Sequence, residues 1–248
     1  ELLASYWPQV LLGVGAVASV SVLQYGGISW HLVSLKKKGL SSQARIACAA
    51  GANALTVGLA PLVGWLGDRQ GAAWVMMVTS AMMALLGMPL LLAMDAAVEQ
   101  PEVEIGLFTI AFGILGALEM CHFLQVVELF PVDVRNAGVG LSYNLGVCLF
   151  GGFAPMAFEA AAATPGCGTW LPAALFAAGG LITATATLAS LCLQSKGKIQ
   201  LTHVRHEPYF RCWGRERFQC GPRPKEPAGL DEGEDVPQKE EFRSVVQL

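Results

Sequence analysis

The sequence predicts an all-α polytopic membrane protein with six transmembrane helices and a disordered polar tail. Of its 248 residues, 54% are hydrophobic and only 14% are charged, which is typical of membrane proteins rather than of soluble domains. The charges are also segregated, because ten of the 16 Lys and Arg residues follow Gln194. We therefore expect a six-helix transmembrane domain over residues 1–194 and a disordered tail over residues 195–248.

Six mostly apolar segments account for the predicted helices. Each has about twenty or more residues, which lets a helix cross a hydrocarbon core of about 30 Å. Helices are expected because backbone polar groups in lipid must be paired within their own segment. The segments cover residues 10–35, 44–66, 72–94, 105–130, 138–161 and 170–193. An even number of crossings places both ends of this domain on one side of the membrane.

The first two segments carry aromatic and amide side chains. Tyr25 and Trp30 in the first segment could stack on a ligand or hold a cation over a ring face. They could equally belong to the aromatic belt that marks a membrane–water interface. Asn53 in the second segment predicts a hydrogen bond to a neighbouring helix, with contact to a ligand as the alternative.

The turn after the second segment, Gly64–Gly71, combines three glycines with two adjacent charges. Glycine supplies the permissive backbone that a tight turn between helices needs. The third segment has no ionisable group, and the threonines of the sixth can bond their own backbone. Both of these segments are therefore expected at the lipid-facing periphery.

The fourth segment holds the strongest candidate site. Glu119, His122 and Gln125 follow one another at three-residue spacing and share one face of a helix. An acid inside a membrane segment is costly and indicates a function by default. Glu119 and His122 can each gain and lose a proton and could carry or relay one. The alternative is a Glu–His pair that only locks helices together.

The fifth segment is rich in glycine and follows a charged turn that runs from Glu128 to Arg135. Charges of both signs can tie helix ends together at the water interface, and the glycines allow close helix packing. Tyr143 and Asn144 are the polar pair of this segment. Because adjacent helical residues point about 100° apart, at most one of them is expected to face a central cavity.

Two motifs resemble the major facilitator superfamily. The stretch Glu128–Pro155 reads ELFPVDVRNAGVGLSYNLGVCLFGGFAP, and it is similar to the loop between that superfamily's tenth and eleventh helices plus the eleventh helix. The likeness is to the metabolite:proton symporter branch, which includes proline/betaine, citrate, shikimate and oxoglutarate carriers. Pro61–Gly71 is similar to the superfamily's G-x-x-x-D-R-x-G loop. The resemblance covers roughly residues 10–193.

The resemblance implies a fold and a gate. The six helices would be helices seven to twelve of a twelve-helix carrier, arranged as two three-helix units related by an inverted repeat. Asp68, Arg69, Glu128 and Arg135 would form a cytoplasmic gate that ties helix ends together. The basic residues that usually follow the last glycine of the G-x-x-x-D-R-x-G loop are absent, since two alanines stand there.

The distribution of charge gives a partly conflicting orientation. Basic residues shortly after the last segment favour a cytoplasmic tail. We expect a multi-pass protein of the plasma membrane. The acidic loop around Asp95 and Glu104 would then lie outside. The run Lys36–Lys38 would also lie outside, which contradicts the usual excess of positive charge in cytoplasmic loops.

These features predict transport of a small polar or charged metabolite by alternating access, as proton-coupled symport by one half of a carrier. The expected partners are the substrate, the proton, the lipid bilayer and the missing amino-terminal half, with no cofactor, metal or nucleic acid. The candidate substrate or proton-coupling residues are Glu119, His122, Gln125, Tyr25, Trp30, Tyr143 and Asn144. The alternative is a non-transporting half-carrier that acts as a scaffold or receptor through its tail.

An enzyme is not expected from these residues. Cys121 and His122 are adjacent and point different ways on a helix, which is poor geometry for a nucleophile and its base. The sequence contains no nucleophile elbow, HExxH helix or P-loop. Because Lys and Arg occur only near the ends of the segments, a zwitterionic or cationic substrate suits the chain somewhat better than an anionic one.

Overall fold

The structure is a computed structural model that describes residues 2–96 and 101–196. These residues form helices and turns without a strand, which confirms the predicted all-α membrane fold. Six helical spans within them are long and apolar enough to cross a membrane, so the chain is a multi-pass integral membrane protein. Spans 1 to 6 are Ser5–Lys37, Ser42–Gln70, Ala72–Ala96, Glu104–Glu128, Val132–Ala162 and Trp170–Ser195. The predicted tail lies outside the described residues, except for its first two positions.

Three spans are uninterrupted α-helices and three are interrupted. Spans 2, 3 and 6 consist of α4 (Ser42–Gln70), α5 (Ala72–Ala96) and α10 (Trp170–Ser195). Spans 1, 4 and 5 contain short α-helices, which are α1 (Leu2–Ala16), α2 (Ala18–Ser21), α3 (Trp30–Lys37), α6 (Pro101–Leu118), α7 (His122–Glu128), α8 (Arg135–Gly146) and α9 (Ala154–Ala162). Between them lie π-helical turns at Val22–Ser29 and Val147–Gly152, and 3₁₀ turns at Glu119–Cys121 and Val132–Val134. Such irregular turns inside helices are frequent at functional sites.

The ends of α4 show how local sequence sets a span boundary. The Ser41 hydroxyl caps the helix by accepting a hydrogen bond of 3.2 Å from the Ala44 N–H. The helix ends at Gly71, whose φ of 90° lies in the left-handed region that glycine tolerates. The turn that resembles the G-x-x-x-D-R-x-G loop is therefore the last part of α4 and the reversal into α5.

The spans pack closely in pairs: span 6 against span 3, span 2 against span 4, and span 1 against spans 5 and 6. Span 6 approaches span 3 through Gly180, where an added Cβ would lie 2.6 Å from the Ala84 backbone nitrogen. Any larger residue at this position would have to push the two helices apart. Small residues at helix contacts are typical of membrane bundles.

A threonine, rather than the predicted asparagine, bonds span 2 to span 4. Thr56 Oγ1 donates to the Gly113 carbonyl oxygen at 3.0 Å. The Asn53 amide instead donates to Ala49 in its own helix at 2.9 Å. The prediction that Asn53 bonds a neighbouring helix was therefore wrong, because an amide side chain can reach the carbonyl four residues earlier.

Ion pairs at one end of the bundle involve two lysines of the run Lys36–Lys38. Lys37 at the end of span 1 pairs with Glu159 of span 5. The neighbouring Lys38 pairs with Glu104 of span 4 at 2.8 Å. Two of the three lysines that conflicted with the charge rule thus have a carboxylate partner in the folded bundle. We call these four residues the lysine–glutamate end of the bundle.

Candidate functional site: a buried polar network around Glu119

Glu119 lies in the 3₁₀ turn between α6 and α7, inside span 4. Its side chain is completely buried. One carboxyl oxygen, Oε2, accepts a hydrogen bond from the Ser19 hydroxyl of span 1. The other oxygen, Oε1, has no hydrogen-bond partner among the residues that the structure describes. The carboxyl group is therefore enclosed between spans 1 and 4 with half of its accepting capacity unused.

A threonine from span 6 interrupts the helix that carries Ser19. Thr183 Oγ1 accepts the Ser19 backbone N–H at 2.8 Å and donates to the Gly15 carbonyl oxygen at 2.8 Å. Ser19 and Gly15 are four residues apart, so these are the two groups that an unbroken α-helix would bond to each other. The inserted hydroxyl explains why α1 and α2 are separate helices. It also fixes the backbone from which Ser19 reaches Glu119.

His122 is attached to the backbone of Glu119 and not to its carboxyl group. The His122 Nδ1 atom lies 2.6 Å from the Glu119 carbonyl oxygen, and because a carbonyl only accepts, Nδ1 is the donor. The other ring nitrogen, Nε2, is buried with no hydrogen-bond partner among the described residues. A neutral imidazole in this orientation presents Nε2 as an acceptor.

Gln125 extends the network to span 6. Its side-chain Nε2 donates to the Thr187 hydroxyl at 2.9 Å, and the buried Oε1 has no partner within the described part of the chain. Glu119, His122 and Gln125 are therefore all buried in span 4, and each has a different polar partner. Three acceptor atoms in this buried region are unused: Glu119 Oε1, His122 Nε2 and Gln125 Oε1.

Aromatic residues of spans 4 and 5 border this region, and Tyr25 of span 1 packs against span 5. The Tyr143 ring stacks on Phe123 with centroids 5.2 Å apart and lies 6.2 Å from the His122 ring. Tyr25 lies against span 5 at Gly151, where an added Cβ would be 2.6 Å from the ring, and 41% of Tyr25 is exposed. Both tyrosines thus combine a packed ring with an accessible surface.

Two other predicted residues lie apart from this group. Asn144 is exposed, and its amide donates to the Gly140 carbonyl of its own helix at 2.7 Å. Trp30 is buried against Phe158, with ring centroids 5.6 Å apart. It follows Ser19 by eleven residues, which is about 16 Å along a helix, and it therefore lies towards the lysine–glutamate end.

The four predicted gate residues lie at the end of the bundle that is opposite to the lysine–glutamate end. Asp68 and Arg69 are exposed, and the Arg69 guanidinium lies 4.1 Å from the centre of the Trp65 ring. Glu128 is buried, and Arg135 Nε donates to the Phe130 carbonyl at 3.3 Å. Within the described ranges, no ion pair joins Arg69 to Asp68 or to Glu128. Their role as a gate remains a prediction.

Sequence reasoning missed the hydroxyl groups of the network, which are Ser19, Thr183 and Thr187. A hydroxyl in a membrane helix usually bonds its own backbone, as Thr185 does with Ile182 at 2.9 Å. The sequence predicted that the threonines of span 6 can bond their own backbone, but Thr183 and Thr187 bond side chains or backbone of spans 1 and 4. Their spacing of four residues, which places both on one face, was the available signal.

Two curated relatives match part of the chain. It is 29% identical over 153 residues to the ectoine/proline transporter ProP of Corynebacterium glutamicum, and 33% identical over 138 residues to the alpha-ketoglutarate permease of Escherichia coli. The matches cover 61% and 56% of this chain but only 30% and 31% of those relatives. No family model and no solved structure matches. Both relatives are transporters of the major facilitator superfamily and neither is an enzyme, so the resemblance carried by the two motifs is confirmed, and the chain is homologous to about a third of such a carrier.

Proposed function

We propose that the chain is the carboxy-terminal half of a twelve-helix carrier that moves a small polar or charged metabolite across the plasma membrane. The two relatives are named as carriers of ectoine and proline and of alpha-ketoglutarate. The six spans supply half of the helices that such a carrier needs. In this proposal, six further helices complete the carrier, and rocking of the two halves exposes a central site to each side in turn.

The environment of Glu119 is the observation that carries the proton-coupling part of the proposal. The carboxyl group is fully buried, it receives one hydroxyl hydrogen bond, and none of the ion pairs among the described residues includes it. A charged carboxylate in such a place lacks both water and a cation to offset the cost of its burial. Gain or loss of a proton at Glu119 therefore changes the free energy of contact between spans 1 and 4. Symport requires such a link between ion binding and helix movement.

The substrate would meet the network from its accessible side. Tyr25 and Tyr143 offer ring faces that are partly exposed, and the Tyr143 ring lies 6.2 Å from the His122 ring. His122 and Gln125 have unused acceptor atoms in the buried network. In this arrangement the tyrosines contact the substrate, while Glu119 exchanges the proton and His122 and Gln125 hold the polar region in place.

The orientation follows the same proposal. Asp68, Arg69, Glu128 and Arg135 lie at the end of the bundle that also carries the last residues of span 6. We place this end in the cytoplasm, with the tail, and the lysine–glutamate end outside. The gate residues then pair across the boundary with the amino-terminal half when the carrier is closed to the cytoplasm.

The test uses the complete carrier that contains this chain, reconstituted in liposomes with an imposed pH gradient. Uptake of proline and of alpha-ketoglutarate is measured for the unchanged protein and for Glu119→Gln. The unchanged carrier should accumulate one of them, and Glu119→Gln should lose accumulation driven by the pH gradient while keeping exchange of labelled for unlabelled substrate. Glu104→Gln is the matched control, since it removes another buried acid from the same span, and it should keep gradient-driven accumulation once its folded fraction has been matched.

The outcomes separate the parts of the proposal. Gradient-driven accumulation by Glu119→Gln at the unchanged rate would reject the proton role but leave transport standing. Absence of uptake and exchange of both substrates by the folded carrier would reject these substrates, and absence for a wider set of zwitterions and carboxylates would favour the scaffold or receptor alternative. Uptake by the present chain alone would reject its role as one half.

A further inference from the structure

A small cavity opens at the lysine–glutamate end, away from the network around Glu119. Its volume is about 180 Å³. It lies between the last turns of spans 1 and 3, the end of span 5 and the turn that leads into span 6. The residues that give it chemical character are Trp30, His31, Ser34, Lys38, Asp95 and Thr169.

The charges around this cavity do not balance. The Lys38 ammonium group is bonded to Glu104 Oε1 at 2.8 Å, and the positive charge is thereby matched by a carboxylate that is almost fully buried. Asp95 is exposed at the cavity and has no ion pair with any described residue. The uncompensated charge at the cavity is therefore negative, which favours a cation.

Two aromatic side chains give the cavity fixed walls. The His31 ring stacks on Phe108 with centroids 5.0 Å apart and an interplanar angle of 10°. The Trp30 ring is held by Phe158 at 5.6 Å. Rings held in this way keep their orientation without a ligand, so binding would cost little side-chain entropy. An indole ring is also the best aromatic partner for a cation.

His31 supplies an unused polar atom in this wall. Its Nε2 is buried and lies 3.5 Å from Glu104 Oε1, and it has no hydrogen-bond partner among the described residues. A buried polar atom without a partner is unfavourable. In the tautomer that carries its proton on Nδ1, Nε2 is an acceptor, and an N–H donor in the cavity would satisfy it.

The size of the cavity limits what can enter. A water molecule occupies about 30 Å³ in the liquid, so the cavity holds roughly six waters or one small organic molecule. Pockets for drug-sized ligands are larger, at about 300–1,000 Å³. A compact ligand with one charged nitrogen therefore fits best.

We propose that this cavity binds a small organic ammonium ion, with its N–H groups directed to Asp95 and to His31 Nε2 and its carbon atoms against Trp30. The site is separate from the Glu119 network, because Glu104 and Glu119 are fifteen residues, or about 22 Å, apart along span 4. In the orientation proposed above, it is an outer binding site that a ligand meets before it reaches the middle of the membrane. Binding there does not require transport, so it can be tested on the chain alone.

The experiment titrates the purified chain in detergent with pyrrolidinium, a secondary ammonium ion, and measures binding by calorimetry and by tryptophan fluorescence. Tetrahydrofuran is the neutral ring of the same size, and acetate is the anion control. Pyrrolidinium should bind saturably, and the two controls should bind at least tenfold more weakly. Asp95→Asn should weaken pyrrolidinium binding about fivefold, the effect expected for an exposed charge pair. Asp133→Asn removes an exposed acid at the opposite end and should leave binding unchanged.

Two further variants locate the ligand. Trp30→Phe keeps an aromatic wall, so calorimetric binding should persist while the fluorescence change disappears. Ala162→Leu places a larger side chain in the cavity and should abolish binding in both measurements. The proposal is overturned if pyrrolidinium shows no saturable binding, if tetrahydrofuran or acetate binds equally well, or if Asp95→Asn and Asp133→Asn have equal effects.

Discussion

Glu104 and Glu119 are two buried carboxyl groups on the same span, yet their surroundings differ. Glu104 Oε1 is bonded to the Lys38 ammonium at 2.8 Å and lies 3.5 Å from His31 Nε2. Glu119 receives only the Ser19 hydroxyl, and its second oxygen has no hydrogen-bond partner among the described residues. One acid has a cation in contact and the other has a neutral donor.

The difference separates a structural acid from a candidate for proton exchange. A carboxylate paired with lysine is stable as an ion, and a change in its charge would leave Lys38 without its partner. The carboxyl group of Glu119 has no cation to lose. Its charge can change without breaking an ion pair, and the free-energy cost of the change is only that of burying the charged form. Burial alone therefore does not distinguish these two acids. The difference between them is whether a cation is in contact with the carboxyl group.

The largest effect on stability is expected from Lys38→Met. Removal of the ammonium leaves the Glu104 carboxylate buried without a cation, and loss of one partner of a buried pair costs about 3 kcal/mol. The free energy of unfolding in detergent micelles measures this loss. The double variant Lys38→Met with Glu104→Gln should recover at least half of it. A double variant that is no more stable than Lys38→Met would show that the pair is not the cause.

Thr183→Val should lower stability by about 1.5 kcal/mol. Valine has nearly the shape of threonine but cannot bond the Ser19 N–H or the Gly15 carbonyl, and polar contacts between membrane helices are worth about 0.6 kcal/mol on average and up to about 1.7 kcal/mol. Thr185→Val is the control in the same helix, because Thr185 bonds only its own backbone. If both variants have the same stability, the hydroxyl of Thr183 does not support the surroundings of Glu119.

Glu119→Gln should change stability by less than about 1 kcal/mol, in contrast to the variants at the other end. Glutamine retains an oxygen that accepts from Ser19, and no ion pair among the described residues is broken. Thermal unfolding of the unchanged and variant chains in the same detergent tests this. A loss as large as that of Lys38→Met would indicate a charged and structural Glu119, and the contrast between the two acids would fail.

The smallest effect is expected from Lys37→Met. Lys37 pairs with Glu159, but both side chains are about half exposed or more, so water already screens the pair. Such pairs contribute about 0.5 kcal/mol or less. Adjacent lysines should therefore differ several-fold in their contribution to stability. Equal losses for Lys37→Met and Lys38→Met would show that burial of the partner does not control the strength of these pairs.

The spans could be predicted from sequence because each is a long apolar run that lipid requires to be helical. The polar group of span 4 was also predictable, since Glu119, His122 and Gln125 are expensive in lipid and share a face. The hydroxyl groups that bond these residues could not be predicted. Serine and threonine cost little in a helix, and the four-residue spacing of Thr183 and Thr187 indicates only a shared face, not that Thr183 bonds span 1 while Thr185 bonds its own backbone.

The position of Trp30 illustrates a second limit. An aromatic residue near a helix end suits a ligand, a lipid interface or a packed core, and sequence alone left the first two open. The structure adds the third, because Trp30 packs on Phe158 and at the same time borders the outer cavity. The partners of Lys37 and Lys38 could not be predicted either, since Glu159 and Glu104 lie far away in sequence and meet them only in the folded bundle.

The Thr183 hydroxyl within span 1 makes bending of that span inexpensive. It forms two hydrogen bonds, one with the Ser19 N–H and one with the Gly15 carbonyl. If span 6 moved away, those two backbone groups could close the ordinary bond of an α-helix, so only one hydrogen bond would be lost in the exchange. Span 1 thus has two nearly equivalent ways to complete its backbone hydrogen bonds at this point, one through the Thr183 hydroxyl and one within its own helix. Span 1 can therefore change shape while the Ser19 N–H and the Gly15 carbonyl both keep a hydrogen bond.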